Sequence, residues 1–579
     1  MARFEHVMRP PRLLLALLLP LLVLLHSLVL DAQSQPPPTR EAEQTQREVV
    51  HVIVAGATGD LAAKYLWVAL FRLALQASST SDRVYRFIAG ASVSEERGRI
   101  WSRGFFSETF AQRVCGPSQD LAADPAALLI CRSFLEDEFK PNVRYRPLRS
   151  EPHYQDLATA LHEANEQEPN GVEVGRIVYL AIPPQFFLQN QELYVMDHYA
   201  GKLVVHALRN YLQVNAAVLH PIWNTQHIRD IHVTPLLCIT ITPVVSLLIA
   251  SCIWLQIEMT ETATLQNRIH YFDSAGIIRD VMVNHLQLLL GVAATPSFEA
   301  LTTSNAAPSS LPQAQLRFIQ GLVWPQQHAL FVAQYEEYAT HYQLEMGDDP
   351  EGNEEQQNPV TFTPTAASVE FWSSLAEWRN TSFRLSAGKA TDERLLAVTV
   401  SFREGVFSDT KAPPCAFTVI IQRGINADPR DSHRLEWSCD VSDILKSLQL
   451  PTDWEYLDPE DQRVITPKRS TLSDFQRETG LTKPWELGDE RSAYDVLLSE
   501  VATGDTGHFA DLSEVEAAWA LWTPIVHAAE ASWASFSDEH GDQQQMAPAT
   551  YPAGSSPWQK RHSNPSSSFD SSPLPKEEL

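Results

Sequence analysis

Val49-Val50-His51-Val52-Ile53-Val54, then Gly56-Ala57-Thr58-Gly59-Asp60-Leu61-Ala62, form the most informative stretch of this chain. The first six residues include five β-branched ones and present apolar side chains to both faces, as a strand inside a parallel sheet does. The glycines suit a phosphate loop, where the chain turns tightly, its backbone approaches a pyrophosphate, and a helix N-terminus offers free amides and partial positive charge. Only two glycines occur, and Ala62 stands at the close-packing position of strict G-x-G-x-x-G. A bare G-x-x-G is more often a tight turn; the strand before it and the helix after it favour nucleotide binding. Leu66 to Gln76 reads as that helix, and Ile177-Val178-Tyr179-Leu180-Ala181-Ile182, stopped by Pro183-Pro184, as a further buried strand. Strand–turn–helix units followed by strands imply a doubly wound, Rossmann-like α/β domain.

From about residue 257 the texture changes. Leu396 to Phe402 and Ala416 to Ile421 alternate as strands of a mainly antiparallel sheet, with helices at Asp280 to Gly291 and Ser513 to Ala529. Residues 345–359 are acidic and Gln-rich, a loop; residues 540–575, rich in Ser, Pro, Gln and Gly, read as a disordered tail. The expected order is a signal peptide (1–32), a linker (33–47), an α/β coenzyme domain (48–200), an α+β domain on a large sheet (201–535) and the tail (536–579). A length of 579 residues fits several domains, since one takes about 150. Forty-four basic against seventy-one acidic residues leave a charge of -27, which repels phosphate backbones and argues against a nucleic-acid partner.

The ends point to a secretory route. Arg3, Arg9 and Arg12 precede the uncharged, Leu-rich stretch Leu13 to Leu30, with Ala32 placed for cleavage, so no membrane span is expected afterwards. Lys576-Glu577-Glu578-Leu579 differs by one residue from the endoplasmic-reticulum retrieval signal, and the lumen is the expected location. In that oxidising compartment the six cysteines are disulfide candidates; Cys115 with Cys131, and Cys415 with Cys439, are close enough to pair, although sequence does not fix connectivity. No Cys-x-x-Cys or His/Cys cluster suggests a metal, and Asn380-Thr381-Ser382 is a glycosylation sequon expected on a surface loop.

The longer string Gly56 to Trp67 resembles the coenzyme loop of glucose-6-phosphate dehydrogenases, its Lys64-Tyr65-Leu66-Trp67 ending most like the lumenal hexose-6-phosphate dehydrogenase branch. Four more segments are similar to family motifs, in the family's order: Tyr179-Leu180-Ala181-Ile182-Pro183-Pro184, Asp197-His198-Tyr199-Ala200-Gly201-Lys202, Gly276 to Leu286, and Gly388-Lys389-Ala390-Thr391-Asp392-Glu393-Arg394. The resemblance spans roughly residues 48 to 530. It implies oxidation of glucose 6-phosphate with NADP or NAD and, by analogy, a homodimer. Gly56, Ala57, Thr58, Gly59, Asp60, Leu61 and Tyr179 would bind coenzyme. His285 would be the base and Asp197 its orienting carboxylate; His198, Tyr199 and Lys202 would hold the sugar phosphate, Glu261 and Asp280 the sugar hydroxyls, and Lys389 and Arg394 a second basic pair. The residue types fit, because oxidising a hemiacetal needs a base on its hydroxyl, and histidine titrates near neutral pH. On an ordinary helix, though, His285 shares its side with Ile278, Val281, Met282 and Leu289, the setting of a packed histidine. Val93 stands where cytosolic members carry an arginine for the 2′-phosphate, so coenzyme choice is expected to be loose.

The chain departs from the family in two places. About forty residues, with a strand and a Glu-Lys-Pro-Phe-Gly motif, are missing between Phe187 and Tyr194, and about twenty-four are inserted at Val233 to Leu255. The uncharged stretch Leu236 to Leu255 has the length of a membrane span, but it lies inside a sheet domain and contains Pro243. Both changes lead to the expectation of a catalytically impaired splice form or gene-model variant that at most binds nucleotide. Full-length lumenal relatives also carry a lactonase domain; none is expected here.

Overall fold

The β-branched run forms β1 (Glu48–Ala55), buried along almost its whole length, and the segment after Leu66 forms helix α1 (Trp67–Thr80). The computed structural model describes residues 48–558 except 81–82, 116–124, 167, 169–171, 182–193, 225, 233–256, 266–267, 296–309, 326–328, 347–362, 380, 404–405, 408–414, 425–432, 440–447, 469–489 and 535–548. The signal, the linker, Asn380, the Pro183-Pro184 stop, the acidic stretch from residue 347 and the last four residues lie outside the described residues. β1 pairs in parallel with β2 (Arg83–Ala91) and β4 (Glu173–Leu180), and β2 with β3 (Val143–Pro147), giving the order β3-β2-β1-β4. One face of this sheet is closed by α1 and a set of rings that includes Phe71, Phe87, Phe110 and Phe139. β4 corrects the expectation of a second fully buried strand. It ends the sheet among the described residues, and Val178 is 60% exposed.

Among the described residues the second sheet has twelve strands and is mainly antiparallel. Its centre holds Ala366–Ser373, Ser382–Gly388, Leu395–Phe402, Ala416–Arg423 and Arg434–Trp437, all with buried apolar positions. The segments Ile278–Leu286, Gln287–Ala294, Ser310–Gly321 and Leu512–Ala534 pack helically against it in one large core. Among the described residues one helical stretch, Tyr271–Ala294, is long and apolar enough to cross a membrane. Most of it is buried in this core, and Gly276, at φ +63°, interrupts it.

Two short strands share a single slot between Ser382–Gly388 and Leu395–Phe402. Ile228–His232 occupies one half and Ile257–Thr260 the other. On one neighbour, Phe383 faces Ile231 and Leu385 faces Ile257, leaving Arg384 alone to face His232. On the other, Thr399 faces His232 and Ala397 faces Glu258, leaving only Val398 to face Ile257. His232 and Ile257 therefore hold consecutive places in one strand on both sides. The insertion runs from Val233 to Gln256, one residue beyond the expected end, and the described register leaves no empty position between His232 and Ile257.

The expected disulfides form, Cys115 with Cys131 and Cys415 with Cys439; Cys238 and Cys252 both fall inside the insertion. The tail needs correction. Residues 549–558 are ordered, and Ala549–Tyr551 adds to Leu330–Tyr335 as a parallel strand. Composition hid this because two rings do the anchoring: Tyr551 is buried in the core and Trp558 packs on Phe331.

Candidate active site

The coenzyme loop has the geometry its glycines allow. Gly56 sits at φ +88°, a region costly for residues with a Cβ. The amides of Gly56 and Ala57 donate to the Gly90 carbonyl at 2.8 and 2.9 Å, and a Cβ on Gly59 would stand 3.1 Å from the Gly56 carbonyl oxygen. Trp67 braces the loop from below, its Nε1 donating to the Ala57 carbonyl at 3.0 Å. Ala62 is fully buried where the helix begins, so it fills the close-packing place. Thr58 is partly exposed, and Gly59, Asp60 and Leu61 face outward; Asp60 is paired with Lys64 at 2.7 Å. Val93 packs on the apolar core beyond β2. Tyr179, on β4, hydrogen-bonds to Tyr494, and burial pushes its hydroxyl up to about 12.

Asp197 and His285 meet as expected. The imidazole Nδ1 lies 2.8 and 2.9 Å from the two carboxylate oxygens, so Nδ1–H donates and Nε2 is left to exchange a proton with a ligand. Asp197 also accepts the Tyr199 amide at 2.9 Å, capping the short turn His198–Gly201. Burial alone would raise the Asp197 carboxyl. The charges of His285 and His198 and the two hydrogen bonds outweigh it and hold the group down to about 2.

His285 escapes the apolar side of its helix because Ile278–Leu286 winds as a π-helix. On an α-helix, positions five apart point about 140° away from each other. A π-helix closes its turn over five residues and brings Asp280 and His285 to one side. Ile278, Val281, Met282 and Leu289 go into the core, and His285 keeps partial access to solvent.

Beside this pair, Lys389 Nζ lies 2.7 Å from Glu261 and 3.3 Å from Asp280. Lys389 is 4% exposed; burial lowers its ammonium, but the two carboxylates overcome that and raise it. Glu261 responds in the opposite sense: burial raises it, and Lys389, with help from Arg394 and Arg268, carries it below the ordinary carboxylate value. Arg394 reaches the group through that field, and with the Gln422 amide oxygen turned toward it donates to that oxygen at 2.6 and 3.1 Å. Lys202 is buried with Nζ 4.0 Å over the Tyr199 ring, and the Tyr199 hydroxyl is directed at the Met259 sulfur, 3.6 Å away. His198 lies 4.8 Å from the His285 ring.

Two contributors had no sequence signal. Tyr494, on helix Glu490–Thr503, stacks with Tyr65 of the coenzyme helix at 5.9 Å and with His198 at 6.2 Å. A ladder of rings thus joins the Gly56 loop to the Asp197–His285 pair. Tyr551 donates its hydroxyl to the Lys389 carbonyl at 2.6 Å and meets Thr365 Oγ1 at 2.9 Å. It steadies a turn in which Ala390 takes a positive φ of 52°, a strained place for a residue with a side chain.

Comparisons with known proteins bear on the family. Residues 53–192 match the family pattern "Glucose-6-phosphate dehydrogenase, NAD binding domain", and residues 251–426 match "Glucose-6-phosphate dehydrogenase, C-terminal domain". The human "GDH/6PGL endoplasmic bifunctional protein" is 24% identical over 84% of this chain and 60% of its own length. The rabbit (Oryctolagus cuniculus) protein of that name gives the same figures, so the chain spans about three fifths of these relatives. The Arabidopsis thaliana "Glucose-6-phosphate 1-dehydrogenase 6, cytoplasmic" is 23% identical over 82% of this chain and 85% of its own. A solved glucose-6-phosphate dehydrogenase in complex with glucose 6-phosphate shares the fold at a TM-score of 0.53 and 19% identity, covering 88% of this chain and 96% of the other. With both domain patterns matched in order on a Rossmann-like sheet followed by a large mixed one, the chain belongs to the glucose-6-phosphate dehydrogenase family.

Proposed function

We propose that this protein oxidises glucose 6-phosphate to 6-phosphogluconolactone with NADP or NAD as acceptor, the first oxidative step of the pentose phosphate route, in the lumen of the endoplasmic reticulum. The Asp197–His285 pair carries the reading. Its Nδ1–H is fixed on a carboxylate held ionised, so Nε2 takes the proton from the C1 hydroxyl as the C1–H bond breaks, and Asp197 stabilises the imidazolium that forms. The nicotinamide ring supplies the hydride acceptor when coenzyme is bound. The glycines of the Gly56 loop, at the start of the following helix, allow the backbone close to its pyrophosphate, and Val93 in place of an arginine supports use of either coenzyme. His198 and Lys202 suit the sugar phosphate, together with Tyr199. Glu261 and Asp280 offer acceptors to sugar hydroxyls while Lys389, with Arg394 nearby, balances their charge.

The two disulfides, the signal-like N-terminus, the terminal Lys-Glu-Glu-Leu and the sequon at Asn380 favour a lumenal glycoprotein, and homodimerisation follows family analogy. A second reading, a catalytically impaired form that still binds nucleotide, is favoured by the exposed outer face of β4 and the interrupted central strand. Steady-state turnover of glucose 6-phosphate by the purified full chain, beside His285→Asn, separates the two. Turnover abolished by the substitution supports the dehydrogenase. Equal, negligible rates with coenzyme binding retained support the impaired form.

A further inference from the structure

Behind the substrate turn lies a second group of titratable side chains, from three separate stretches. His206 is on the helix Leu203–Val214 that follows Lys202, Glu500 is on the helix Glu490–Thr503, and His508 is in the loop after it. One donor atom from each lies within 4.8 Å of the other two. His508 Nδ1 is 2.8 Å and His206 Nε2 is 3.9 Å from the same Glu500 oxygen. Donors around a tetrahedral Zn2+ with bonds of about 2.1 Å sit roughly 3.4 Å apart, a value these two distances bracket.

The surroundings leave polar atoms without protein partners. His206 Nε2, Glu500 Oε2, Arg209 Nη1 and Glu514 Oε2 are all buried and make no hydrogen bond in the protein. Buried polar atoms are nearly always satisfied, so four in one group call for a ligand. The other His206 nitrogen is engaged by the Ala200 carbonyl, which fixes the tautomer with its lone pair on Nε2, as the outer partner of a metal-bound histidine does. Buried Arg209 lies in the field of Glu500 and Glu514.

We propose that His206 Nε2, His508 Nδ1 and Glu500 form a structural site for one divalent cation that prefers imidazole and carboxylate donors, Zn2+ foremost. The ion would clamp the helix after Lys202 to the helix Glu490–Thr503, which carries Tyr494. Because His206 also holds Ala200, it would fix the His198–Gly201 turn from behind. This is a positioning role, separate from the Asp197–His285 pair.

The test is zinc retention by the purified full chain after dialysis, read by elemental analysis and by titration against a chromophoric chelator, with Co2+ replacement read in the visible spectrum. About one equivalent of zinc and the d–d absorption of a four-coordinate Co2+ with nitrogen ligands are expected. The single variants His206→Ala and His508→Ala should weaken zinc by roughly 100-fold or more. His285→Asn should keep the full equivalent, which excludes the Asp197–His198–His285 group as the binding site. Should the alanine variants fail to fold, the wild-type Co2+ spectrum and the His285→Asn stoichiometry decide. The proposal is overturned if the wild type retains no zinc, or if both alanine variants retain as much as it does.

Discussion

Joining His232 directly to Ile257 by deleting Val233 to Gln256 should stabilise the protein. The register on both neighbouring strands already places these two residues in succession, so the deletion leaves every described pairing intact. What it removes is the entropic cost of returning a 24-residue excursion to adjoining sites. That cost grows as (3/2)RT ln n, about 3 kcal/mol for this length. For a cooperative unit of roughly 300 residues, it corresponds to a rise in Tm of about 4 °C. The deletion also takes out the uncharged stretch Leu236 to Leu255, so soluble yield should increase. Differential scanning calorimetry of the two purified chains, with light scattering for aggregation, measures both effects. An unchanged or lower Tm would mean that the excursion contributes packing that outweighs its closure cost, and the reasoning would be wrong.

His285→Asn should reduce glucose 6-phosphate turnover by roughly 100- to 10,000-fold with coenzyme affinity nearly unchanged, measured by steady-state rates and coenzyme titration. Asp197 is held down to about 2 from an ordinary 3.8, so its stabilisation is fully present above pH ~4 and is lost as pH falls from there through about 2. Asp197→Asn should flatten that part of the Tm-against-pH curve, and an unchanged slope would contradict the assignment. Tyr551→Phe leaves the buried Thr365 hydroxyl and the Lys389 carbonyl short of a partner; Tm should fall by the equivalent of about 1–3 kcal/mol and KM for the sugar phosphate should rise. NADP and NAD should support rates within a thousandfold of each other, because Val93 makes no charged contact with a 2′-phosphate.

The coenzyme loop was legible because its chemistry is local: one strand, two glycines and a helix start lie within twenty residues. The Asp197–His285 pair was legible only through resemblance to family motifs, since 88 residues separate the two side chains. The π-turn that lifts His285 off the apolar side has no sequence signature that helical periodicity detects. Tyr494 and Tyr551 were invisible for another reason. Each acts through a single contact with a distant segment, and the Ser- and Pro-rich composition around Tyr551 reads as an unstructured tail. The strand β4 was taken as covered on both faces because its residues are apolar. Their exposure depends on which neighbours the chain supplies, and the sequence of one strand does not carry that information.

Helix Glu490–Thr503 places Tyr494 and Leu498 in the core of the first sheet, and strand Ala549–Tyr551 completes the edge of the second. A nascent chain emerges N-terminus first, so neither half can close until almost all of the polypeptide has left the ribosome. The early strands β1 to β4 must wait with unfilled apolar sites while some three hundred further residues are made. Their association with chaperones during synthesis should accordingly be prolonged. Truncations before residue 503 should yield chains that are degraded, rather than a free-standing nucleotide-binding domain.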